Sequence, residues 1–149
     1  MKRYHYVECG LDNVIVEGVE ITRDADGEEV VCIPAIGALH KAIAEGILRR
    51  EGAMSGKELR FLRTEMGMTQ AELGQLLHRD AQTIARWEKE EIPIDGNADT
   101  VVRRLAAEKL DIDLDVTTEE LARRTVPNVR PREIVIRRAE NEGYEVKAA

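Results

Sequence analysis

Residues 68–91 read MTQAELGQLLHRDAQTIARWEKEE, and this stretch decides which fold the chain can adopt. Thr69 followed by Glu72 forms a capping box, in which two side chains satisfy free backbone N–H groups at the start of a helix. Asp80 is a good N-cap before a second helical stretch, and Gly74 is small enough for two helices to cross there. The stretch therefore predicts two short helices joined by a connection of only a few residues.

The second predicted helix presents polar side chains that suit the edges of DNA bases. Gln82 and Arg86 are one helical turn apart; Gln suits adenine N6/N7 and Arg suits guanine O6/N7. Gln70, at the start of the first helix, is placed to reach a phosphate with the helix dipole behind it. The predicted base contacts are Ala81, Gln82, Ala85 and Arg86, and the predicted phosphate contacts are Gln70, Arg79, Thr83 and Lys89.

The alternative for this stretch is a plain helical hairpin whose polar face is only solvated. Two features favour the DNA-binding arrangement over it: the small residue at the crossing and a set of apolar residues spaced to lock the two helices together. That expected set is Ala71, Leu73, Leu77, Ile84 and Trp87.

The stretch strongly resembles the Xre/Cro-type helix-turn-helix family. Over about residues 4–110 the chain also resembles the MqsA/YgiT-type proteins, through CGLDNV at 9–14, LHKAI at 39–43 and GKELRFLR at 56–63. Those proteins pair a small N-terminal zinc-finger-like domain with a C-terminal helix-turn-helix. Many are antitoxins that bind a toxin and repress their own operon, so the resemblance implies that function here.

The chain departs from that family where the family binds zinc. The family has a Cys-x-x-Cys pair, whereas here Tyr6 takes the place of its first cysteine. Four residues still offer the right donor atoms, but His5 and Cys9 would lie about 13 Å apart in an extended strand. We therefore expect a degenerate finger without a metal or other cofactor, its cysteines acting as small buried hydrophobes. The four donors are His5, Cys9, Cys32 and His40.

Two further departures concern backbone geometry. His78 stands between the two helices, and Glu90 stands after the second, where the family usually has glycine. Because glycine tolerates a positive φ that other residues adopt at a cost, both changes are expected to alter local geometry without abolishing the fold.

Residues 1–52 are expected to form a small sheet covered by one helix. Three β-branched runs, at 14–16, 19–21 and 30–33, are punctuated by glycines and a turn signal, and they predict three short strands of one sheet. Apolar residues then recur at helical spacing from 36 to 50, which predicts an amphipathic helix that lies on the sheet.

Residues 53–125 predict a bundle of about five short helices that contains the Xre/Cro-like pair. A capping box at Ser55 opens the first helix, Asn97 is expected to cap the fourth, and Thr117 the fifth. Residues 126–149 fit either a strand hairpin or an irregular tail docked on a neighbour. The expected fold class is therefore mainly α with a small N-terminal β-sheet.

Charge and hydropathy limit the classes of protein that remain. Asp and Glu outnumber Lys and Arg by 29 to 22, for a net charge of −7, which excludes a protein that coats nucleic acid by charge alone. No apolar run reaches the roughly 18 residues of a membrane span, and the N-terminus lacks a signal-peptide core, so we expect a cytoplasmic protein without a membrane partner. No nucleophile–base pair or phosphate-binding glycine loop is visible, so an enzyme is not expected.

The sequence thus predicts a DNA-binding repressor that reads double-stranded operator DNA as a homodimer and binds a toxin. Its dimer contacts are expected at Val101, Val102 and Leu105, or in the C-terminal segment. A stand-alone regulator without a toxin is one alternative. Another is a protein-interaction module that has lost DNA binding and uses its N-terminal sheet. Arg103-Arg104 and Arg123-Arg124 are expected to be solvated or salt-bridged rather than phosphate clamps.

Overall fold

The computed structural model describes residues 2–125 and 133–148, in which strands at both ends enclose a run of helices. The described fold is mixed α/β, so the expectation of a mainly α chain with its sheet confined to the N-terminus is wrong. The five helices expected between residues 53 and 125 are present as α2–α6. The strands are β1 (Arg3–His5), β2 (Val14–Glu17), β3 (Glu20–Arg23), β4 (Glu29–Cys32), β5 (Ile134–Arg138) and β6 (Tyr144–Ala148). The helices are α1 (Ile36–Arg49), α2 (Gly56–Glu65), α3 (Gln70–Leu77), α4 (Ala81–Glu88), α5 (Gly96–Lys109) and α6 (Thr118–Arg124).

The main sheet joins the two ends of the chain. Its strand order is β1-β2-β5-β6, and β2 pairs in parallel with β5 so that Val14 lies opposite Ile134 and Val16 opposite Ile136. β1 pairs antiparallel with β2, and β6 pairs antiparallel with β5. The hairpin alternative for the C-terminal segment is therefore present as β5–β6, while residues 126–132 lie outside the described part.

The three β-branched runs near the N-terminus do not form one sheet, which corrects the sequence prediction. β3 pairs antiparallel with β4 in a separate hairpin, and β2 has β1 and β5 as its neighbours. The reason is burial: β5 brings Ile134 and Ile136, both fully buried, whereas the residues of β3 are mostly exposed. Pairing β2 with β5 thus removes more apolar surface from water.

Helix α1 covers one face of the main sheet. Leu39, Ile43 and Ile47 form its apolar stripe and are fully buried, as are Val14 and Val16 on the sheet. Each such side chain stabilises the fold by about 1.5–3 kcal/mol relative to an exposed position. The predicted lid helix is therefore confirmed, and the C-terminal hairpin packs beneath it.

The helix starts follow the capping residues that the sequence offered. Ser55 and Thr69 both form complete capping boxes, and the Asp80 side chain accepts a hydrogen bond from the N–H of Thr83. Thr117 caps α6 as expected. The expected cap at Asn97 is wrong, because Asp95 accepts from the N–H of Ala98 and starts α5 two residues earlier.

Buried ion pairs join α1, α2 and α5. Arg103 and Asp99 are both fully buried and bonded at 2.7 Å, and Arg50 pairs with Glu58 beside them. Arg103 also donates to the carbonyl oxygens of Arg50 and Gly52. Burial raises the pKa of Asp99, although the charge of Arg103 opposes that shift. Arg103 is therefore a structural residue and cannot clamp a phosphate.

The remaining paired arginines have partners on their own helix or in a nearby loop. Arg123 pairs with Glu119 and Arg124 with Glu120, each one turn away on α6. Arg104 donates to the carbonyl oxygen of Val116. These contacts fit the salt-bridged interpretation better than a phosphate clamp.

Candidate nucleic-acid interface

Helices α3 and α4 are joined by a tight turn that contains two special backbone positions. The N–H of Arg79 donates to the carbonyl oxygen of Gly74 at 2.9 Å, and His78 adopts a left-handed φ of 56°. A Cβ on Gly74 would lie 2.5 Å from the carbonyl oxygen of Arg79. Glycine is thus required at this position, and the atom it makes room for belongs to the turn.

A small apolar core holds the two helices together. Leu73 on α3 and Ile84 and Trp87 on α4 are buried, as the sequence predicted, and Leu77 is half-buried. Ala71, which was expected to join them, is exposed and takes no part in this core. The buried residues fix one face of α4 to the protein and leave the opposite face outside.

The exposed face of α4 carries two of the four predicted base-contact residues. Gln82 and Arg86 are exposed, and neither makes a hydrogen bond or ion pair with another residue of the described chain. Ala81 and Ala85 are half-buried beside them. The arrangement offers one amide and one guanidinium, spaced by one helical turn, to a partner in front of α4.

The four predicted phosphate contacts differ in how far the protein already engages them. Gln70 donates to Glu88 at 3.1 Å, Arg79 pairs with Asp95 at 2.7 Å, and the Thr83 hydroxyl donates to the cap residue at position 80. Lys89 is exposed and has no bonded partner within the described residues. Lys89 is therefore the readiest of the four to meet an external anion.

A polar contact that the sequence did not reveal sets the position of α4. Arg63 on α2 donates two hydrogen bonds to the carboxylate of Glu88, at 2.6 and 3.0 Å, and a third to the carbonyl oxygen of Met68. The contact raises the pKa of Arg63. No local pattern indicates this pair, because its two residues are 25 positions apart on different helices.

The helix caps next to this face are ionised. The N–H of Thr83 bonds to the carboxylate of Asp80 and lowers its pKa, and the N–H of Ala98 does the same for Asp95. Each carboxylate therefore stays charged at neutral pH and stabilises the N-terminus of its helix.

The four residues considered as zinc ligands have other surroundings. His5 contacts the carbonyl oxygen of Asp12, and His40 contacts the hydroxyl of Tyr6. Cys9 is half-buried, as expected of a small apolar residue, but Cys32 is exposed on β4, which corrects the expectation that both are buried. In the described ranges, no group of three or more His, Cys, Asp or Glu side chains could hold a metal ion.

Comparison of the chain with protein-family profiles, curated proteins and solved structures found no match. The family resemblance therefore remains a prediction from the motifs at 9–14, 39–43, 56–63 and 68–91. Every helix within residues 2–125 and 133–148 is too short or too polar to cross a membrane.

Proposed function

We propose that the chain is a sequence-specific, DNA-binding transcriptional repressor. The observation that carries the proposal is the exposure of Gln82 and Arg86 on one face of α4, whose other face is fixed by Ile84 and Trp87. A helix held in this way can enter the major groove and present bidentate side chains to base edges. Lys89 and Arg79 flank that face and are suited to the phosphates on either side.

The proposal includes a homodimer that reads two half-sites. One such module buries little DNA surface, so a two-fold pair is the usual way to reach useful affinity. Val101 on α5 is 46% exposed and Leu105 is half-buried, so both are available to a second copy. Val102 is fully buried and drops out of the expected contact set.

We further propose that the repressor is an antitoxin that regulates its own operon and binds a toxin. The separate β3–β4 hairpin supports protein binding, because its residues are mostly exposed and it pairs with no strand of the main sheet in the described chain. A stand-alone regulator lacks this partner. An interaction module that has lost DNA binding would use the same hairpin and leave Gln82 and Arg86 without a role.

Selection of duplex DNA from a random library with the full-length protein tests the proposal. We expect one enriched motif with two related half-sites, and binding that weakens steeply when salt rises from 50 to 200 mM. Absence of any enriched motif would contradict sequence-specific binding. Co-purification from the native host tests the antitoxin part separately: a small protein partner, encoded by the neighbouring reading frame, is the expected result.

A further inference from the structure

The largest groove in the described structure lies between the N-terminal segment and the helices. It has a volume of about 710 Å³, which is within the range of small-molecule sites. The turn at Glu8–Gly10 forms one wall, α2 forms a second, and residues 88–90 at the end of α4 form the third. The groove therefore touches each of the units that the chain brings together.

Two aromatic rings lie at the base of this groove. The rings of His40 and Phe61 are 5.6 Å apart and tilted, and His40 also contacts the ring of Tyr6 at 5.9 Å. His40 is held in place by the Tyr6 hydroxyl on one nitrogen and by Glu65 on the other. Such a fixed aromatic surface favours a planar, apolar ligand body.

The acidic side chains around the groove are already bonded within the protein. Glu65 contacts His40, Glu88 binds Arg63, and Glu90 accepts from the N–H of Gly56 at 3.1 Å. The fourth acid, Glu8, accepts from the hydroxyl of Tyr4. These carboxylates are thus partly neutralised before any ligand arrives.

Two of the three basic side chains around the groove have no such partner. Lys57 pairs with Asp12 at 3.1 Å, but Arg60 on α2 and Lys89 at the end of α4 have no bonded partner among the described residues. Both are exposed, so their charges are available to a ligand. A cation on each of two walls favours an anionic group between them.

We propose that this groove binds a small aromatic anion, whose ring system lies on the aromatic base and whose acidic group pairs with Arg60 and Lys89. The inference goes beyond DNA binding and does not depend on it, because neither residue has to contact DNA for a ligand to bind. The chemistry on the page defines a planar molecule with one carboxylate, sulfonate or phosphate.

Fluorescence titration of the full-length protein with 8-anilinonaphthalene-1-sulfonate tests this site. We expect saturable binding of one dye per chain, weakened about tenfold by Arg60→Gln or Lys89→Gln because each removes a charge-assisted hydrogen bond. Arg123→Gln and Lys109→Gln are matched controls, since both change an exposed cation away from the groove, and they should leave dye binding unchanged. Urea unfolding checks that all four variants stay folded.

A neutral dye separates the role of the charge from that of the rings. N-phenyl-1-naphthylamine keeps the ring system without the sulfonate and should bind about tenfold more weakly, for the same reason. Equal binding of the two dyes, or parent-like binding of the sulfonate dye by both groove variants, would overturn the proposal. Absence of saturable binding would overturn it as well.

Discussion

Arg63 on α2 and Glu88 on α4 form a two-bond ion pair that fixes the orientation of α4. The bonds are 2.6 and 3.0 Å long, and the side chains are 15% and 5% exposed. Gln70 donates to the same carboxylate from the start of α3. One carboxylate thus ties three helices together behind the face that carries Gln82 and Arg86.

Glu88→Gln should destabilise the protein by about 3 kcal/mol, because it leaves the mostly buried guanidinium of Arg63 without its counter-charge. Urea unfolding followed by circular dichroism measures the change. Glu91→Gln is the control, since residue 91 is exposed, and it should change stability by less than about 0.5 kcal/mol. A parent-like midpoint for Glu88→Gln would show that the pair does not hold α4.

Arg86→Ala should relax base preference at one position of the selected DNA site by about 1–3 kcal/mol, as expected for loss of a bidentate base contact. Gln82→Ala should act in the same way at an adjacent position. Fluorescence anisotropy with single-base variants of the duplex measures both effects. Gln75→Ala, on the exposed surface of α3, is the control; a base preference unchanged in all three would exclude α4 as the reading helix.

His78→Gly should stabilise the protein by about 1 kcal/mol, because glycine relieves the cost of a left-handed φ of 56°. Glu90 has a similar φ of 62°, but its carboxylate also accepts from the N–H of Gly56. Glu90→Gly should therefore gain less or lose stability. Equal gains in the two variants, measured by urea unfolding, would show that the Glu90 contact contributes nothing.

Gly74→Ala should destabilise the turn between α3 and α4 by about 2 kcal/mol or more, since the new methyl group would overlap the carbonyl oxygen of Arg79. Gly37→Ala, in the first turn of α1, meets no atom within 4 Å and should be neutral or slightly stabilising. Thermal unfolding of both variants provides the comparison. A neutral Gly74→Ala would mean that the turn rearranges freely.

Removal of residues 126–149 should unfold the N-terminal sheet while α2–α5 remain folded. Without β5, the strand β2 loses its parallel neighbour, and the apolar face of α1 loses the hairpin beneath it. Native-state hydrogen exchange should then show fast exchange at Val14–Glu17 and retained protection at Leu59 and Ile84. Protected amides in β2 of the shortened chain would contradict this expectation.

The parts of the fold that the sequence predicted are those with local signals. Ser55, Thr69, Asp80 and Thr117 each start a helix, because a capping side chain bonds to an N–H only two or three residues away. The apolar stripe of α1 was equally legible. Even here a choice between near neighbours failed, because Asp95 rather than Asn97 caps α5.

Contacts between distant residues had no such signal. The pairing of Val14 with Ile134 joins residues 120 positions apart, and a β-branched run does not specify which other run it will meet. Arg103 has an exposed-looking sequence context, yet Asp99 one turn earlier and two backbone carbonyls let it be buried. The pair of Arg63 and Glu88 was missed for the same reason.

The parallel pairing of β2 with β5 also has a consequence for the order of events during synthesis. A ribosome makes β2 early and β5 only after all six helices, so the helical segment can complete its core while β2 still has an unpaired edge. During that interval the nascent chain presents Val14 and Val16 to the cell. The last strands to leave the ribosome are thus the ones that close the sheet begun by the first.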